Sequence, residues 1–171
     1  MFHDNLRFVK LVKIHLPLKV QKTPLQKQYL VKIMTNNASY LTQQDLQFHV
    51  KNPANFGLLP DLDFVSGEHN PSCGDLVIVG GKVLNGNIVR LCFQGSGCVI
   101  SMAMASKLTI ACVGMSLNQV LSLDDAMIEK LLGLQLGINR MKCGLLSIMA
   151  LQKGIELYQK KAKELASIDK I

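Results

Sequence analysis

LVIVGGKVL (76–84), NGN (85–87) and IVRLCFQ (88–94) decide how this chain is read. Two runs rich in Val, Ile and Leu flank an Asn-Gly pair, the pair that most readily supplies the positive φ angles of a tight hairpin turn. An antiparallel hairpin is predicted, Leu76–Leu84 with Ile88–Gln94. Gly95-Ser-Gly97 ends its second strand. Cys98–Val113 then carries apolar residues nearly all round with one charge, Lys107, as a buried helix does. Upstream, Thr42-Gln-Gln-Asp45 resembles a capping box opening a short helix that Asn52-Pro53 stops. Residues 54–74 read as loop, rich in Asn, Gly, Pro and Asp. Downstream, a second capping box, Ser122-x-x-Asp125, is expected to start a helix that fades at Gly133 and Gly137. Gly144–Ala166 reads as an amphipathic helix, with Leu145, Ile148, Met149 and Ile155 on one side. Gln152, Glu156, Gln159 and Lys160 lie mainly on the other. Strands followed by helices, without βαβ alternation, predict an α+β fold.

The 171 residues fit one domain, and 49% apolar residues suffice for a core of ordinary size. No window approaches the roughly eighteen apolar residues of a membrane-spanning helix. Trp is absent and aromatics make up 5%, too few for the stacking platforms used on single-stranded nucleic acid. The net charge of +7 is unevenly placed. Residues 1–33 hold seven Lys/Arg and one acid, so the remainder is close to neutral. A nucleic-acid-binding body would carry its own basic face, so no nucleic-acid partner is expected. The basic extension has no apolar h-region and, unlike a mitochondrial transit peptide, favours Lys and lacks Ser. Translation is expected to start at Met34, with residues 1–33 a non-native or disordered extension and 34–171 the working domain. A cytoplasmic location follows from that reading, ahead of the mitochondrial matrix.

Five cysteines, an odd number with no secretory signal, argue against a disulfide framework. Cys92 lies within a predicted strand and Cys112 within the apolar helix, where a free thiol behaves as a small hydrophobe. The other three lie at element boundaries. Cys73 precedes the hairpin, Cys98 opens the buried helix, and Cys143 is expected to open the last helix. A thiol at a helix N-terminus is biased towards thiolate, and Arg140 and Lys142 would add to this at Cys143. Three thiolates leave a tetrahedral site one ligand short. Asp75, one glycine beyond Cys73, is the candidate fourth. The spacings of 25 and 45 residues between these cysteines match no zinc-finger pattern, so a Cys/Asp metal or sulfur site and three unrelated thiols both remain open. His69 lies near Cys73, but a lone loop histidine is more often simply solvated.

Four segments carry a resemblance: His49-Val-Lys-Asn-Pro53-Ala-Asn55-Phe-Gly57, Asn70-Pro-Ser-Cys73-Gly-Asp75, Gly95-Ser-Gly97-Cys98-Val-Ile-Ser101-Met-Ala103-Met-Ala-Ser106, and Arg140-Met-Lys-Cys143. Over residues 42–162 the chain resembles the U-type iron–sulfur assembly proteins: the IscU scaffold, the SufU sulfur carrier and the N-terminal domain of NifU. The resemblance implies a small antiparallel sheet packed against helices, with the three Cys loops gathered at one exposed end. It implies Cys73, Asp75, Cys98 and Cys143 as ligands of a transient [2Fe–2S] cluster or of Zn2+. It also implies a cysteine desulfurase as sulfur donor and apo iron–sulfur proteins as acceptors. An IscU-like protein has a His before the third Cys, within a stretch read by a dedicated Hsp70-type chaperone. Here Lys142 stands in that place and Leu136–Arg140 replaces the stretch, so a chaperone partner is not expected. Arg140-x-Lys142-Cys143 is more SufU-like, yet the SufU insertion between the second and third Cys is missing.

The resemblance therefore implies either a cluster scaffold or a zinc-dependent sulfur carrier, a persulfide sulfurtransferase rather than a conventional enzyme. The SufU-like version takes sulfur on Cys73 and the IscU-like version on Cys143. Two rivals come from other classes. A structural zinc module would unfold on zinc removal and take up no sulfur. A Cys-nucleophile hydrolase needs a His base beside its thiol, and the body offers only His49 and His69.

Overall fold

The computed structural model describes residues 42–168; the basic extension and the Met34 start lie outside them. Helix α1 (Thr42–Lys51) is followed by strands β1 (Phe64–Asn70), β2 (Asp75–Leu84) and β3 (Asn87–Ser96). Helices α2 (Val99–Cys112), α3 (Leu117–Leu121), α4 (Asp125–Leu132) and α5 (Ile138–Ile168) complete the chain. The strands form one antiparallel sheet in the order β1-β2-β3. This is the α+β architecture expected.

The predicted hairpin is present, with Leu84 opposite Asn87. Asn85 and Gly86 turn the chain at φ 51° and 73°, the left-handed pair that matches strand twist. Strand β1 was not expected, since residues 54–74 read as loop. Its inward positions are Phe64, Ser66, Glu68 and Asn70, so the period-2 apolar signal is absent. Helix α5 explains that composition by lying close against β1. A Cβ on Gly154 would stand 2.6 Å from Phe64 Cδ2 and 3.3 Å from Ser66 Cβ. Lys153 pairs with Glu68 at 2.6 Å.

Helix α2 runs through the core, with Ala103, Met104, Ala105, Leu108 and Cys112 fully buried. Cys92 is buried as well, so both cysteines assigned to packing are core residues. Lys107 is only 3% exposed. Its ammonium pairs with Asp45 of α1 and donates to the Leu131 carbonyl at 3.0 Å, one of the last carbonyls of α4 and without a partner inside that helix. One cation thus joins three helices. Lys107→Met is expected to lower stability by about 2–4 kcal/mol, read as a fall in urea midpoint at unchanged slope.

The helical boundaries differ from expectation downstream. The capping box is Ser116 with Gln119, opening α3. Ser122 ends that helix, its hydroxyl donating to the Gln119 carbonyl at 2.9 Å. Asp124 precedes α4, which stops at Gly133 with φ 69°. Gln152, placed on the polar side of the last helix, donates instead to the carbonyls of Val120, Leu121 and Leu123 at 3.3, 3.2 and 2.9 Å. Helix α5 begins at Ile138, six residues before Gly144.

Candidate metal centre

Strands β1 and β2 are joined by Pro71-Ser72-Cys73-Gly74, with Asn70 paired to Asp75 across the turn. Gly74 has φ 73°, a conformation that suits glycine. The Asn70 carbonyl accepts the backbone N–H of Cys73 at 3.3 Å and of Gly74 at 2.9 Å. This tight turn leaves Cys73 exposed while Asp75, the first residue of β2, is only 2% exposed. Cys98 is the N-cap residue of α2, as predicted, although its side chain makes no capping bond.

Cys143 departs from expectation. It lies in the second turn of α5, beyond the first turn to which the dipole effect is confined. It is 7% exposed, while Arg140 and Lys142 are exposed at the surface. Burial, followed by the neighbouring Cys73 and Cys98 thiols, pushes its pKa up to about 12. In metal-free protein the Cys143 thiol is therefore protonated through neutral pH, and only thiolate reacts with alkylating agents. Iodoacetamide at pH 8 is expected to modify Cys73 at least about tenfold faster than Cys143, read by timed peptide mapping; equal rates would contradict this.

The ligand atoms of Cys73, Asp75 and Cys143 lie within 4.8 Å of one another. The two sulfurs are 3.6 Å apart. Cys98 stands beside this set without belonging to it: its N–H donates to Asp75 Oδ1 at 3.0 Å, and Ser101 Oγ donates to its sulfur at 3.7 Å. Burial works to raise the Asp75 pKa. The Cys98 thiol, the Ser101 hydroxyl, the Cys73 thiol and the Cys98 N–H outweigh it and hold the carboxyl below its ordinary value. Oδ2 of Asp75 is buried and has no hydrogen-bond partner. An orphaned carboxylate oxygen beside two thiols is the arrangement a cation would complete.

Residues 41–165 match the sequence profile of the NifU-like N terminal domain. The chain belongs to that family. Among its relatives, the zinc-dependent sulfurtransferase SufU of Bacillus subtilis is 38% identical over 137 residues, covering 70% of this chain and 92% of SufU. The iron–sulfur cluster assembly scaffold protein IscU 1 of Archaeoglobus fulgidus is 36% identical over 124 residues, covering 72% of this chain and 78% of the relative. The N-terminal NifU-like protein of Brucella abortus shares the fold, with a TM-score of 0.57 at 19% identity, over 75% of this chain and 99% of that one.

Among the described residues the two histidines, His49 and His69, stand apart from the thiol set. His49 is buried between α1 and α2, its Nδ1 2.8 Å from Ser106 Oγ. His69 is exposed and alternates with Asn70 along β1, so it faces the other side of the sheet. A Cys–His nucleophile pair is not what these contacts build. Two residues with no assigned role do touch the site. Gly97 leaves room for Asp75, and Asn70 bonds the Cys73 turn and Cys143. The signal for Asn70 was available in part, because Asn at a turn entry bonds the backbone two residues on. No described helix is long and apolar enough to cross a membrane.

Proposed function

We propose that this domain accepts sulfur from a cysteine desulfurase on Cys73 and, with an external electron donor reducing that sulfur to sulfide, assembles it with ferrous iron as a transient [2Fe–2S] cluster for transfer to apo-proteins. Cys73, Asp75 and Cys143 would hold that cargo, with Cys98 joining from the start of α2. The observation that carries the reading is the buried, partnerless Oδ2 of Asp75, whose ligand atom lies within 4.8 Å of those of Cys73 and Cys143. The names of the SufU and IscU relatives support it.

Of the five cysteines Cys73 is the exposed one, with Cys98 partly exposed and the others buried, so an incoming donor meets Cys73 first. Its sulfur attacks the terminal sulfur of the desulfurase persulfide, forming Cys73–S–SH while the desulfurase cysteine leaves as thiolate. The product is a reversible cap. Asp75 offers a hard oxygen among soft sulfurs, and thiolate holds iron in clusters more firmly. That weaker bond favours release. Asp75→Ala is expected to yield a longer-lived cluster and transfer to an apo-ferredoxin slowed by about tenfold, the lower end of what altered ligand shells do to metal sites. Transfer at the wild-type rate would contradict this role.

A second reading, a zinc-dependent sulfur carrier without a stable cluster, is favoured by the SufU match and by Lys142 in place of a histidine. Cys73, Asp75 and Cys143 fit such an ion, and Cys98 beside them would complete a four-ligand S3O set. Bound zinc would supply the positive charge that keeps these sulfurs as thiolates. In either reading Cys73 receives the sulfur.

A further inference from the structure

Asn70 is only 7% exposed, and both the oxygen and the nitrogen of its side-chain amide have a partner. Oδ1 accepts the Ser72 N–H at 3.1 Å, and Nδ2 donates to Cys143 Sγ at 3.7 Å. The Ser72 N–H can only donate, so it must face the amide oxygen, which fixes the orientation of the amide. The backbone carbonyl of the same residue accepts from the Cys73 and Gly74 N–H groups, and Asn70 pairs with Asp75 in the sheet. One residue therefore touches the turn carrying Cys73, the strand carrying Asp75 and the sulfur of Cys143 on α5.

We propose that Asn70 is a positioning residue that holds Cys143 in register with the Cys73 turn and favours its sulfur as a metal ligand. The inference rests on the reading that this set binds metal. Groups that orient ligands typically change metal affinity by about 10–100-fold when removed. A donor N–H aimed at the sulfur fixes its place relative to the Cys73 turn, which a side chain without that donor does not do.

Two substitutions separate this role from a purely structural one. Asn70→Ser retains an oxygen that can accept the Ser72 N–H and loses the donor to Cys143, and Asn70→Ala removes both. Co2+ titrations at pH 7.5, followed by thiolate-to-cobalt absorption and accompanied by thermal melts, read the difference. Affinity is expected to fall about tenfold in Asn70→Ser, with melting close to wild type. If the side chain served only the turn, Asn70→Ser would bind like wild type and Asn70→Ala alone would weaken. That pattern overturns the inference while leaving the metal reading intact. A wild-type protein that takes up no Co2+ overturns the metal reading and the inference with it.

Discussion

Cys73→Ser is expected to reduce sulfur uptake from a desulfurase by at least about 100-fold, because thiolate is the nucleophile and a serine hydroxyl does not replace it. Of the other thiols, only Cys98 is partly exposed, and it sits at the α2 N-cap rather than on the exposed turn. Cys143 is buried and its pKa is pushed up to about 12, while Cys92 and Cys112 are sealed in the core. The substitution changes one exposed atom on a turn held by backbone bonds to the Asn70 carbonyl, so stability should stay within about 0.5 kcal/mol of wild type. Counting sulfur atoms on each cysteine by peptide mass spectrometry after a single turnover checks this. Uptake by Cys73→Ser at the wild-type rate would move the entry point to another thiol.

The second large effect is steric. Gly97 precedes Cys98, and a Cβ there would stand 2.7 Å from Asp75 Cγ and 2.6 Å from Ser101 Oγ. Both neighbours contribute to the site, and Asp75 is fixed at the start of a paired strand with little freedom to retreat. Gly97→Val is therefore expected to weaken Zn2+ or Co2+ binding by about 10–100-fold and to cost about 1–3 kcal/mol of stability. Gly137→Ala is the control: a Cβ there meets nothing within 4 Å, and affinity should be unchanged. Metal titration of the two variants distinguishes crowding at Asp75 from a general intolerance of lost glycines. Equal affinities would remove Gly97 from the account of the site.

The residues that declare themselves in the sequence are those whose constraints are local. Asn85-Gly86 announces its turn because few other pairs accept two left-handed residues in succession. Cys98 was placed correctly because an apolar run and two glycines mark where α2 begins. Strand β1 was hidden because its inward face is set by a distant partner: Gly154 on α5 brings the helix close enough that Ser66 fits where a larger side chain would not. Helix α5 was shortened for a related reason. Gly137 read as a stop, and nothing in Ile138–Lys142 announces the start that the chain makes directly after it. That error carried the Cys143 thiol from a buried second turn to a helix start, and reversed the expected direction of its pKa. The contact between Asn70 and Cys143 spans 73 residues, beyond the reach of any local pattern.

The most direct test is a native mass spectrum of anaerobic protein after incubation with a desulfurase, cysteine, ferrous iron and a reductant that converts persulfide sulfur to sulfide, beside a sample without iron or reductant. Sulfur is expected on Cys73 without iron. With iron, a mass increase matching a [2Fe–2S] unit is expected, and it should be lost in Cys98→Ser. Retained zinc with added sulfur and no iron would make the domain a carrier instead of a scaffold. A protein that keeps zinc, gains no sulfur on any cysteine and unfolds when the zinc is chelated would contradict sulfur acceptance altogether and leave a structural zinc module.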